Sequence, residues 1–232
     1  MAARAFDRSE RPSQAVEDYV KAIYALGERG GQVTSSMLVN ELGVRPSSVS
    51  AMLARLRDLD LVSHRPYSAV SLSPSGVDLA LRVIRRRRLI EAFLVDTLDY
   101  AWHEVEHEAE VLSRAASDSL IDRISERLGH PVVDPHGDPI PDLDGHIHAT
   151  RAEVLSTLEV GALGRLARVW NGDPEVLRYL DGCGIQLGDR IEVLRREPYG
   201  GLIVIRVGEP KDGRIQAFGN GLAEMLSVEL DP

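Results

Sequence analysis

A single cysteine, Cys183, in 232 residues excludes an internal disulfide and fits a chain that works in a reducing cytoplasm. Long apolar runs are missing as well. Nothing approaches the roughly 18 uninterrupted apolar residues of a membrane span, so no membrane contact is expected. The opening MAARAFDRSERPS is charged and has no apolar stretch, so no secretory signal is visible there. Aromatic residues make up only 5 % of the chain, and Trp102 and Trp170 read as packing residues rather than ligand stackers. No nucleophile–base pair or phosphate loop is recognisable. The glycines at 161 and 164 lack the strand–helix setting that a nucleotide site requires. An enzyme is therefore not expected. What is present, 44 % hydrophobic and 27 % charged residues, suits a folded chain with one large domain or two or three small ones.

The formal charge of −9 is unevenly placed. Residues 1–75 carry nine basic and eight acidic side chains, whereas 99–148 carry three basic and twelve acidic. The N-terminal region is thus locally suited to a polyanion, and for a DNA binder the local footprint matters more than the sum.

The stretch SQAVEDYVKAIYALGERG places Ala15, Tyr19, Ala22, Ile23 and Leu26 on one helical stripe. TSSMLVNELG reads as a short second helix, capped by Thr34 or Ser35 and stopped at Gly43. RPSSVSAMLARLRDLDL is a third, with Pro46 in its first turn and Val49, Met52, Leu53 and Leu56 facing inward. Two short extended stretches follow in LVSHRPYSAVSLSPSG, so residues 1–74 read as a winged helix-turn-helix. Residues 75–148 hold a long helix from about Ser75, a second from about Trp102 to Leu128, and a loop, GHPVVDPHGDPIPDLDGHIHAT, too rich in Gly, Pro and Asp to be regular. In that loop His136, His146 and His148 read as loop residues before metal ligands. Residues 149–232 alternate in DRIEVLRR, GLIVIRVG, RIQAFG and EMLSVEL, which predicts four or five strands closed as a small β-barrel. The expected class is mainly α with a small β domain.

A recognition helix needs small or hydrogen-bonding side chains where it enters the major groove, and basic groups on its flanks. Ser47, Ser48, Ser50 and Ala51 supply the first; Arg45, Arg55 and Arg57 supply the second. Serine hydroxyls can address base edges and Ala51 a thymine methyl. His64, Arg65 and Tyr67 fall in the wing, within reach of backbone or minor groove. The alternative is a protein–protein module in which the serines only cap a helix.

The stretches EDYVKAIYAL, LGVRPSSVSAMLARLRDLDLV, AVSLSPSG, RRRRLIEAFLV and EAEVLSRAASDSLIDRISERLGHPVVDPHGDPIP resemble the diphtheria-toxin-repressor family of metal-dependent transcriptional regulators, of the manganese/iron-responsive type. The resemblance implies a repressor acting as a homodimer on palindromic double-stranded DNA. It also implies a helical dimerisation domain, a C-terminal SH3-like barrel, and Mn2+ or Fe2+ in two adjacent sites. One site would draw on Asp18 and Glu110, but where the family has Glu-His this chain has Ser113-Arg114. The other would draw on Glu91, but Arg87 and Glu106 stand where the family has histidines. Asp173 or Glu175 would be a further ligand from the C-terminal domain.

Arginine cannot coordinate a cation: it has no available lone pair and stays protonated. Three readings of EVEHEAEVLSRAASD remain open. The guanidinium groups of Arg87 and Arg114 take over the ion's electrostatic role, with no cofactor and a regulator that is ungated or answers to a small molecule or protein partner. Alternatively a rearranged set, Asp18, Glu91, Glu106, His107 and Glu110, keeps a metal, with oxygen donors favouring manganese. The third reading is an acidic, solvated helix face with ordinary intrahelical pairs. For the chain as a whole, an interaction protein that never binds DNA is a separate alternative.

Overall fold

The computed structural model describes residues 12–28, 30–63, 69–148, 151–170 and 173–231. They form two compact units, one of residues up to 86 with 141–146, the other of 87–140 with 147–232.

The first unit begins with α1 (Gln14–Glu28), α2 (Ser35–Leu42) and α3 (Pro46–Asp58). Thr34 caps α2, its Oγ accepting from the Met37 amide at 3.3 Å. Gly43 ends α2 in the left-handed region, at φ 63°, where a residue without Cβ is unstrained. Val16, Tyr19, Val20, Ile23 and Leu26 of α1 pack with Leu38 of α2 and Val49, Leu53 and Leu56 of α3. The stripe on α1 is thus centred one residue beyond the sequence reading: Ala15 is exposed and Val16 buried, because Val buries more apolar area than Ala. Met52 is half-buried at the rim. The short ladder of β1 (Val62–Ser63) and β2 (Ser71–Leu72), extended by the Val33–Val70 bridge, is the base of a wing. Leu79 and Ala80, in the first turns of α4 (Pro74–Leu98), complete this core.

In the second unit, Leu89, Ile90 and Leu94 of α4 pack with α5 (Val105–Ala115) and α6 (Asp118–Arg127), using Val105, Ala109, Ile121 and Ile124. The single helix expected from Trp102 to Leu128 is therefore two. Ala116 is extended, and the Ser117 hydroxyl caps α6 by accepting from the Leu120 amide at 3.3 Å; a serine here competes with helix continuation.

The C-terminal part of this unit holds β3 (Ala152–Val154), β4 (Leu163–Val169), α7 (Pro174–Gly182), β5 (Arg190–Arg196), β6 (Ile203–Val207), β7 (Arg214–Phe218), the short α8 (Asn220–Ala223) and β8 (Leu226–Leu230). All six strands pair antiparallel in the order β3-β8-β4-β5-β6-β7. The expected SH3-like barrel is not formed: among the described residues no pairing joins the edge strands β3 and β7, and the sheet is open. The reason lies in the edges. β3 is only three residues long, and β7 turns Arg214, Ile215 and Ala217 outward, the irregular polarity by which an edge escapes further pairing. Helix α7, unexpected from sequence, covers part of the sheet core with Leu177 and Leu180. Among the described residues no helix is long and apolar enough to cross a membrane.

Candidate functional site

On α3 one face is locked and the other is free. Val49, Leu53 and Leu56 are at most 2 % exposed, whereas Arg45, Ser47, Ser48, Ser50, Ala51, Arg55 and Arg57 are all exposed. The Ser50 hydroxyl donates to the Pro46 carbonyl at 3.1 Å, which leaves its lone pairs to accept. Arg57 lies 3.8 Å from Asp58, a loose surface pair that leaves its charge available. His64, Arg65 and Tyr67 lie outside the described residues.

The run Arg85-Arg86-Arg87-Arg88 on α4 sends each side chain to a different partner, as consecutive helical positions must. Arg85 donates to the Pro141 carbonyl at 2.7 Å. Arg86 lies 3.6 Å from Glu17, with both side chains largely buried. On α1 it is thus Glu17 that turns inward, while the expected ligand Asp18 is half-buried beside it.

Arg87 and Arg88 organise the second unit. Arg87 Nε donates to Glu91 Oε1 at 2.7 Å, and its Nη2 to Glu106 Oε1 on α5 at 3.2 Å. The Glu91 side chain is 3 % exposed, Arg87 27 % and Glu106 52 %. Burial works against the guanidinium charge, but the Glu91 carboxylate, with Glu106 and Glu110 behind it, outweighs that effect and holds Arg87 above its usual value. One turn on, Arg114 Nη2 donates to Glu110 Oε1 at 2.7 Å, and Ser113 Oγ donates to the Glu110 carbonyl at 3.0 Å. Of the sequence-expected metal ligands, the structure brings Glu91 and Glu106 together, but around a guanidinium. Glu110 is paired with Arg114, and His107 is exposed.

Arg88 reaches the other way, into the loop DPHGDP. Its Nε lies 3.5 Å from Asp134 and its Nη2 3.3 Å from Asp138, and it donates to the Pro139 carbonyl. Asp134 Oδ1 accepts from the amides of His136 and Asp138 at 2.8 and 2.9 Å, so the loop folds around this carboxylate. Burial first, then Asp138 and Glu91, push Asp134 up to about 7, against the pull of Arg88 and His136. The loop docks on β4 at a bulge: the Val169 amide donates to the His136 carbonyl at 2.8 Å, and Arg168, re-aimed by the register shift between Leu166 and Arg168, donates to Asp138. Arg168 also stacks on Trp170, 3.5 Å from the ring centroid. Gly137 is obligatory here, because a Cβ would fall 1.9 Å from the Ala167 carbonyl oxygen.

This docking buries His136, which the sequence predicts as a loop residue, beside Asp134 and Glu91 of α4. Glu91, Asp134 and His136 are all buried and offer ligand atoms within 4.8 Å of one another. His136 Nε2 bonds to the Trp102 carbonyl at 2.8 Å, which selects the tautomer that keeps the Nδ1 lone pair available. The alternation of Asp and His in DPHGDP was the only signal. Asp142, Asp144 and His146 form a second, mostly exposed group. His148 is exposed too, and Asp173 serves as the cap of α7, accepting from the Glu175 amide at 2.8 Å.

Residues 13–70 match the family described as iron dependent repressor, N-terminal DNA binding domain. Residues 73–142 match iron dependent repressor, metal binding and dimerisation domain, and 154–230 match the FeoA domain. A solved manganese-dependent transcriptional repressor in complex with manganese is 39 % identical and superposes with a TM-score of 0.84, over 93 % of this chain and 100 % of that one. The chain belongs to the DtxR/MntR family of metal-dependent transcriptional repressors. The diphtheria toxin repressor of Corynebacterium efficiens is 28 % identical over 92 % of this chain and 94 % of its own length. ScaR with bound Cd2+ is 30 % identical, with a TM-score of 0.77, over 94 % and 99 %. As a DtxR/MntR protein the chain is a winged-helix DNA-binding regulator of the metal-responsive type, not an enzyme, and its metal site is atypical.

Two places bear on a metal, and they differ in fit. The set Glu91, Asp134 and His136 has the oxygen and nitrogen donors that Mn2+ or Fe2+ accepts, and is consistent with regulation by either. At 87, 91 and 106, between α4 and α5, the residues do not fit an ion: the carboxylates there already share one guanidinium.

Proposed function

We propose that this regulator binds palindromic double-stranded DNA as a homodimer and represses transcription there, in the cytoplasm. The observation that carries the reading is α3, whose first turns present Ser47, Ser48, Ser50 and Ala51 to solvent while its opposite face is fixed in the core. In this reading those four residues meet base edges, Arg45, Arg55 and Arg57 meet phosphates, and His64, Arg65 and Tyr67 lie along the backbone or minor groove. Few long side chains are available for bidentate base contacts, so DNA shape shares the reading.

Homodimerisation is supported by Val111, Leu112 and Leu120, which are 49 %, 43 % and 48 % exposed within the stretch matched to a dimerisation domain. Exposed apolar side chains on α5 and α6 are the kind of surface that an interface covers. A two-fold dimer requires a two-fold target. The functional division is 1–74 for DNA, 75–148 for dimerisation and metal response, and 149–232 as the sheet domain. A retained Mn2+ or Fe2+ would be held by Glu91 with Asp134 and His136. Asp18, Glu106, His107 and Glu110 are the further ligands that the sequence proposes.

The test is selection of duplexes from a random pool, followed by titration of the winner. We expect a palindrome, a salt slope that falls by about one unit in Arg55→Gln, and loss of sequence preference in the Ser48→Ala/Ser50→Ala variant. Micromolar binding with no sequence preference would refute the reading.

A further inference from the structure

A family defined by metal dependence leads one to expect a divalent ion where carboxylates from two helices converge. In this chain they converge on Arg87. We propose that Arg87 is a resident cation: its guanidinium does permanently, between α4 and α5, what an ion would do reversibly, so this junction forms without metal. The inference deepens the reading above, since it names the regulation of the same regulator.

Four features carry it. The two carboxylates lie on different helices, Glu91 on α4 and Glu106 on α5, the latter 19 positions from Arg87, so the guanidinium is a bridge and not an ordinary intrahelical pair. It uses two separate N–H edges, Nε toward Glu91 and Nη2 toward Glu106, which the planar fork of arginine provides and a lysine ammonium does not. Glu91 is 2 % exposed, and a carboxylate so buried needs a counter-charge. Finally, guanidinium does not deprotonate in a protein and is covalently attached, so its occupancy does not vary with pH or with metal concentration. Arg114, by contrast, pairs with Glu110 within α5 itself.

The neighbouring donor set does not undo this. An ion at Glu91, Asp134 and His136 would have to draw Glu91 from Arg87 and Asp134 from Arg88. Metal there competes with the bridge instead of building it.

Amide hydrogen exchange of α5 in the free, metal-stripped full chain tests the proposal independently of DNA binding. In the natural chain we expect protection that excess Mn2+ changes by less than about twofold; in Arg87→Gln without metal, exchange faster by about tenfold or more. Arg87→His restores a ligand beside Glu91 and Glu106, and there Mn2+ should slow exchange by about tenfold. Glu106→Gln, at the exposed end of the bridge, carries the same test should Arg87→Gln fail to fold, with faster exchange expected. Mn2+ binding that leaves α5 of the natural chain unchanged also supports the proposal. It is overturned if Mn2+ raises α5 protection in the natural chain about tenfold, or if Arg87→Gln and Glu106→Gln exchange as the natural chain does. A chain that binds no duplex would refute the proposed function and leave this result standing.

Discussion

Replacing Arg88 by methionine should destabilise the second unit, and by an amount that depends on pH. Arg88 is the counter-charge of Asp134, whose side chain is 2 % exposed, and shares Asp138 with Arg168. Removing one partner of a buried pair costs about 3–5 kcal/mol when the other charge is left alone. Here Asp134 keeps two amide donors and Asp138 keeps Arg168, so the lower end, about 3 kcal/mol, applies where Asp134 is ionised. Asp134 is held up at about 7, above its unfolded value, so its contribution to stability is complete below the ordinary carboxylate range and disappears as pH rises through about 7. Loss of Arg88 removes a pull toward ionisation and lifts that value further. The variant therefore goes on losing stability above pH 7, at up to about 1.4 kcal/mol per pH unit, where the natural chain no longer does. Urea unfolding at about pH 6 and about pH 8 should give losses of about 1.5 and about 3 kcal/mol respectively. Equal losses at the two pH values, or a larger one at the lower pH, would refute the assignment of Asp134 as the responsive group.

Gly137→Ala should prevent the loop from docking on β4, because the added Cβ meets the Ala167 carbonyl oxygen at 1.9 Å and φ is +82°. Tryptophan fluorescence from Trp170 should then report the undocked loop, with a stability loss of about 3 kcal/mol or more. Ser117→Ala removes the cap of α6 and should cost about 1 kcal/mol by thermal or urea unfolding; no change would mean that the break between α5 and α6 is fixed by packing alone.

Much of the first unit could be read in the sequence because its signals are local. Thr34 and Gly43 bracket α2, Pro46 opens α3, and the inward positions Val49, Leu53 and Leu56 follow a 3.6-residue period. The break at Ala116–Ser117 was hidden because the apolar period runs on through it; only the serine marks it. Helix α7 carried its own signal, Asp173 followed by Pro174, but lay among alternating strands. Sheet closure could not be read at all, since it depends on β8 inserting between β3 and β4 across more than fifty residues, and no local pattern encodes such a pairing.

The site divides in the same way. That Arg87 and Arg114 stand among carboxylates was legible, and Glu110 and Arg114 lie one turn apart in the favourable order. Which carboxylates Arg87 would choose was not, because Glu106 belongs to another helix. His136 looked like a loop residue: its burial comes from β4 and Trp102, neither of them near it in sequence. Asp18 is what the family resemblance supplies; that Glu17 turns inward instead is not legible, because the partner that holds it, Arg86, is far along the chain.

The most direct measurement is the affinity of the metal-stripped chain for its selected palindrome, repeated with excess Mn2+. A family member whose junction charge is a side chain should bind tightly without metal and change by less than about twofold when it is added. A gain of about tenfold or more on adding Mn2+ would contradict the account.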